Sequence, residues 1–206
     1  MNTHILLVEG TRVTGKSTLI NALLRKYVQE QDVPGTLLNL SQTHTHPPIL
    51  SGPSPEGGSS GGTGAMPPIG KREHRELLRK ILRMLDWTGY GATPQKQLPL
   101  TGLVDTLHIT HCFRPGILSW AEMSYVDRSL AALGGKLILL QARPEMLWER
   151  LMKSGYNPEA VHNYYANEQR MMERMARRSV METLFLAAED AFEENLEKAY
   201  GFWMDL

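Results

Sequence analysis

Eight residues near the start of the chain, Gly10-Thr11-Arg12-Val13-Thr14-Gly15-Lys16-Ser17, fit the pattern G-x-x-x-x-G-K-S/T. The residue types dictate what such a loop can do. Its backbone N–H groups curl around phosphate oxygens, and the helix that begins near Lys16 adds its positive dipole end. Lys16 bridges β- and γ-phosphates, the Ser17 hydroxyl is a ligand for Mg²⁺, and Thr18 follows on the first helical turn. The pattern is the Walker A element, and it predicts a bound nucleoside triphosphate, with ATP and Mg²⁺ as the cofactors.

A phosphate loop needs a strand leading in and a helix leading out, and both are present. "HILLVEG" (4–10) is a short apolar run, and "KSTLINALLRKYVQE" carries Leu19, Ile20, Leu23, Leu24 and Tyr27 at helical spacing. Two more apolar runs, "TGLVD" (101–105) and "KLILLQA" (136–142), read as buried parallel strands, with 35–41 and 183–189 as a fourth and fifth. Helical patterns fill the intervals, over 72–87, 163–179 and 191–206. Met171, Met172, Met175 and Tyr164 form a stripe read as packing. Strands alternating with helices predict an α/β fold in three layers: a five-stranded parallel sheet with helices on both faces.

The strand ending at Asp105 brings a carboxylate to the sheet's C-terminal edge. There it reaches a metal or a substrate hydroxyl, or simply caps a turn. No N-K-x-D element is present, which argues against a GTPase switch, and the chain is too short for an extended ATPase with sensor motifs. A compact transferase is what remains.

Composition narrows the partners. The chain has 206 residues, the size of one domain, with Lys+Arg and Asp+Glu at 22 each. No overall field draws it to nucleic acid or to an anionic membrane. A single cysteine, Cys112, gives no disulfide framework, and no apolar run is long enough to span a bilayer. These features predict a cytoplasmic protein.

One segment departs from the pattern. Residues 43–70 are rich in Gly, Ser and Pro and cannot bury a core. They are read as a functional loop, a disordered insertion or an engineered replacement, the last suggested by "GGSSGG".

The residues also carry a family resemblance. "VEGTRVTGKST" resembles the EG-x-x-G-x-GKST opening of thymidylate kinases and deoxynucleoside kinases. "HRELL" (74–78) is similar to the arginine-bearing helix that binds the acceptor nucleotide in thymidylate kinases, which marks Arg75 as a substrate contact. "LVDTLHIT" (103–110) resembles their DR(Y/F)-x-x-S strand end, and 132–151 their fourth strand with the helix entering the lid. The resemblance implies a P-loop kinase fold over 1–206, a lid at about 151–162, and phosphoryl transfer to a nucleoside or nucleotide. It also favours a homodimer. Asp105 becomes the base or a metal-shell carboxylate.

Departures fall on the acceptor side. Val13 replaces the family's middle glycine, Thr106 replaces the arginine of DR, and the REPGGT segment is absent, with "SQTHTHPP" (41–48) in its place. Arg12 neutralises charge on the transferring phosphoryl group or lies solvated on the loop's rim. Arg150 clamps phosphates on lid closure or sits on an exposed helix face. His108, three residues past Asp105, and His44 are read as acceptor contacts rather than metal ligands. Two alternatives stand beside nucleoside or nucleotide phosphorylation: a kinase for another small molecule, such as an antibiotic or natural product, and a nucleotide-binding regulator without transferase activity.

Overall fold

Side chains of the first strand, β1 (His4–Glu9), alternate between two apolar layers, so both of its faces are buried. Ile5 and Leu7 pack on one side with Val104, Leu137 and Leu139. Leu6 and Val8 pack on the other with Leu103, Ile138 and Leu140. Continuous apolar runs of this kind belong to a parallel sheet covered on both faces.

The computed structural model describes residues 4–31, 38–39, 101–105, 108–113 and 119–205. The sheet runs β2-β3-β1-β4-β5, with every pairing parallel. Its body is four strands of five or six residues: β1, β3 (Thr101–Asp105), β4 (Lys136–Gln141) and β5 (Glu182–Ala187). Five full strands were expected. The run expected over 35–41 is present, among the described residues, only as the two-residue β2 (Leu38–Asn39) pairing with Gly102 and Leu103.

Helix α1 (Lys16–Gln31) and the C-terminal helix α6 (Phe192–Met204) cover one face. The other face is covered by α2 (His108–Phe113), α3 (Trp120–Ala132) and α5 (Pro158–Ala176), whose Ile109, Met123, Val126, Leu130, Met172 and Met175 join the core. Of the methionine stripe, Met172 and Met175 are buried, whereas Met171 and Tyr164 face solvent. Adjacent positions lie about 100° apart on a helix, so Met171 and Met172 cannot share a face. Among the described residues, no helix is long and apolar enough to cross a membrane.

Local chemistry explains where the helices begin. Ser119 caps α3 in a reciprocal box: Glu122 N–H donates to Ser119 Oγ at 3.2 Å, and Ser119 N–H to Glu122 Oε2 at 2.8 Å. α4 (Pro144–Lys153) and α5 each carry proline at the start, where the missing N–H costs nothing. Trp203 closes the α1–α6 layer, its indole N–H donating to the His4 carbonyl at 3.0 Å and its ring 5.2 Å from Tyr27. Truncating a buried tryptophan costs about 3–5 kcal/mol.

The centre of the sheet fixes the site. β1 lies between β3 and β4, and Val8 stands opposite Asp105, so Glu9 and Asp105 reach the same C-terminal edge. Ligands of open α/β sheets bind at that edge.

Candidate functional site

From Glu9 the chain turns sharply through residues 10–15 into α1. Gly10 makes the turn at φ 151°, and a Cβ there would lie 2.5 Å from the Leu140 carbonyl oxygen. Only glycine fits against β4 so closely. Within the loop, the Thr14 hydroxyl donates to the Thr11 carbonyl at 2.9 Å, and the Thr11 hydroxyl to the Arg12 carbonyl at 3.1 Å. Lys16 is buried, and its Nζ donates to the carbonyls of Gly10 at 2.6 Å and Thr11 at 2.7 Å. Its ammonium is thus held inside the curl of the loop. No acidic residue occupies the first turn of α1, so nothing on that turn competes with an anion for the positive end of the helix.

Ser17 and Thr18 are exposed beyond the lysine. The Ser17 hydroxyl donates to Asp105 Oδ2 at 3.4 Å, bringing together the first turn of α1 and the end of β3. Two hard oxygen donors at a phosphate loop suit Mg²⁺, which takes one or two protein oxygens and completes its shell with water and phosphate. Among the described residues, no group of three or more His, Cys, Asp or Glu side chains could hold a metal by itself.

Beside the loop lies a cavity of about 650 Å³. Its walls include Gly15 and Thr18, Met146 and Arg150 of α4, and Asp190 and Phe192 after β5. The volume and mixed lining fit a small-molecule ligand.

Three expected contacts are placed elsewhere. Arg150 donates from Nη1 to the carbonyls of Val13 at 3.0 Å and Thr14 at 2.8 Å, and from Nη2 to the Ala188 carbonyl at 3.2 Å. Its fork is engaged by backbone carbonyls of the loop and of Ala188, while the residue also lines the cavity beside the loop. Arg12 is half-buried, and its guanidinium lies 4.7 Å from the centre of the Tyr156 ring. His108 is fully buried and cannot meet an acceptor; its Nε2 lies 3.0 Å from Asp127 Oδ1 on α3. The helical turn that begins at His108 packs the ring between Asp127 and Glu9, whose Oε1 lies 3.9 Å from Nδ1. His44, Arg75 and the segment 43–70 lie outside the described residues.

The stretch 151–162, expected as a lid, consists of the end of α4, the turn Ser154-Gly155-Tyr156-Asn157 and the start of α5. Val13 and Tyr156 both pack against the buried pair Leu151 and Tyr165 of this hairpin. Val13 is also in the left-handed region at φ 59°, a conformation that costs a β-branched residue about 1–2 kcal/mol.

Sequence reasoning missed the polar cluster behind the loop. Glu9, fully buried, accepts from the Ile109 N–H at 3.2 Å and the Thr110 hydroxyl at 2.6 Å, tying α2 to the strand that feeds the loop. Asp127 accepts from Ser179 Oγ at 2.6 Å and the Val180 N–H at 2.8 Å as well as facing His108. Burial pushes the Asp127 carboxyl up, but these hydrogen bonds and the His108 charge outweigh it, and its pKa lies below the ordinary 3.8. Glu9 stood in the opening motif; an aspartate inside a helical pattern carries no such signal.

No family model matches the chain, and no curated protein matches it. Among solved structures, the YorR protein of Bacillus subtilis, in complex with phosphorylated GDP, aligns with a TM-score of 0.58 at 12% identity over 98% of this chain and 96% of that one. The likeness is one of fold. A deoxyadenosine kinase from M. mycoides with bound dATP aligns at 0.41, with 14% identity over 97% of each chain. The α/β fold, a parallel sheet flanked by helices, is therefore shared with a nucleotide-bound protein along nearly its whole length.

Proposed function

We propose that the chain is an ATP-dependent P-loop phosphotransferase that moves the γ-phosphate to a nucleoside, a nucleotide or a nucleoside-like small molecule. One observation carries the reading: the Ser17 hydroxyl and the Asp105 carboxylate meet at 3.4 Å beside a loop that already holds the Lys16 ammonium. A bound Mg²⁺ would supply positive charge to offset that of the phosphates. Ser17 and Asp105 would hold it, or Asp105 would instead act as the base for an acceptor hydroxyl.

Lys16 would exchange its loop carbonyls for β- and γ-oxygens, an ion-to-ion contact in place of an ion-to-dipole one. The amides of residues 10–18 would line the same phosphates, and the cavity beside Thr18 and Phe192 is of a size for the base and ribose. The narrower reading, a thymidylate kinase-like enzyme, rests on the sequence motifs, and its assignment to the cytoplasm on the composition.

The two arginines assigned to transition-state charge are occupied, Arg150 by three carbonyls and Arg12 by an aromatic ring. That observation favours, as a second reading, a nucleotide-binding regulator without transferase activity. ADP release from Mg·ATP, measured across nucleosides, nucleoside monophosphates and nucleoside-like antibiotics, separates the two. Under the kinase reading an acceptor stimulates turnover in the wild type and not in Lys16→Ala. If ATP binds and no acceptor stimulates turnover, the regulator reading replaces it.

A further inference from the structure

We infer that the α4–α5 hairpin is a clasp that sets the conformation of the phosphate loop, with Arg12, Val13, Tyr156 and Arg150 as its positioning residues. The inference rests on the nucleotide-binding reading of that loop. Val13 occupies the left-handed region that a glycine would enter freely, and a strained conformation persists only where the surroundings over-determine it. The surroundings here come from one element. Leu151 and Tyr165 form the cluster on which the Val13 side chain packs, Arg150 holds the Val13 and Thr14 carbonyls, and Tyr156 holds the preceding residue through its ring face.

The hairpin is itself stiff. Its turn is four residues long, Gly155 supplies φ 77° within it, and the Asn157 side chain caps α5 by accepting from the Glu159 N–H at 3.0 Å. Leu151 and Tyr165 are buried between the helices. Burial pushes the Tyr165 phenol up, while the hydrogen bond and charge of Arg12 pull it back, so Arg12 faces both tyrosines. The direction of the N–H groups of residues 13–15 follows from the Val13 dihedral. A hairpin that loses its grip therefore re-aims the donors that would meet phosphate. Arg12 acts here as a strut, and a strut and a phosphate ligand respond differently to loss of the ring beneath.

A double-mutant cycle of Arg12→Ala and Tyr156→Ala, with Tyr156→Phe, tests this in the full chain. The readouts are Mg·ATP affinity by calorimetry and the unfolding midpoint without nucleotide. A clasp predicts that each alanine variant weakens ATP about three- to tenfold, that the double variant is no weaker than the worse single one, and that Tyr156→Phe matches wild type. The inference is overturned if the two effects multiply, or if Arg12→Ala weakens ATP while Tyr156→Ala does not, since Arg12 would then contact phosphate directly. Should the wild type bind no nucleoside triphosphate, the proposed function fails. The clasp is then judged by the unfolding midpoints, where the same lack of additivity is expected and independent effects overturn it.

Discussion

Ser17 and Asp105, 88 positions apart in sequence, stand 3.4 Å apart at the edge of the sheet. The contact exists because the parallel register places Asp105 opposite Val8, two residues before the loop begins. Neither residue alone distinguishes a metal ligand from a helix-turn hydroxyl or a strand-end carboxylate. Together they set two oxygen donors beside the loop that would hold the phosphates under the proposed function.

Removing either oxygen should therefore act through the metal. Ser17→Ala and Asp105→Asn are expected to reduce the gain in ATP affinity that Mg²⁺ provides by about tenfold, leaving affinity in EDTA near wild type. Calorimetric titrations with and without Mg²⁺ check this. Equal losses under both conditions would place the two residues on the nucleotide and not on the metal.

Arg150→Lys keeps the charge and loses the fork. Lysine cannot serve the Val13, Thr14 and Ala188 carbonyls together, so the loop should loosen. The unfolding free energy is expected to fall by about 1–2 kcal/mol and ATP affinity with it. A variant with wild-type stability and affinity but slowed turnover would return Arg150 to the transition state.

Gly10→Ala should be felt before any ligand is added. The new methyl meets the Leu140 oxygen at a distance neither backbone can accept. A loss of about 2 kcal/mol or more in urea unfolding is expected, with ATP binding impaired in the fraction that folds. An alanine variant as stable as wild type would mean that the loop and β4 are farther apart than described.

Asp127 gives a pH signature. Its pKa is lower folded than unfolded, so its stabilisation is complete above the ordinary 3.8 and is lost as pH falls through the still lower folded value. Asp127→Asn should cost about 1–3 kcal/mol at neutral pH, and the difference from wild type should shrink below pH 3.8. Unfolding curves across that range test it; a constant difference would remove the carboxylate's charge from the account.

The loop, the strand at 101–105 and the helix after Gly15 were legible because their chemistry is local. The order of apolar residues makes β1, and the glycines and lysine make the loop. The capping box of Ser119 and Glu122 is local chemistry as well, yet it was not read from the sequence. What the two arginines do was not. A positive charge at a phosphate loop looks like a phosphate ligand, and the groups that claim Arg12 and Arg150 come from a distant hairpin and from the loop's own backbone. His108 misled for a related reason: three residues from Asp105 is close in sequence, yet the first helical turn points its ring at Asp127. Nearness along the chain does not give direction.

The two-sided burial of β1 has one further consequence. Its faces are interchangeable in chemistry, Ile5 and Leu7 on one and Leu6 and Val8 on the other, so the strand accepts most exchanges among similar aliphatic side chains. Its length is a different matter. One inserted residue would turn every following side chain through the sheet and bring a residue with a Cβ against the Leu140 oxygen in place of Gly10. The strand is a ruler: permissive in its letters, intolerant in its count.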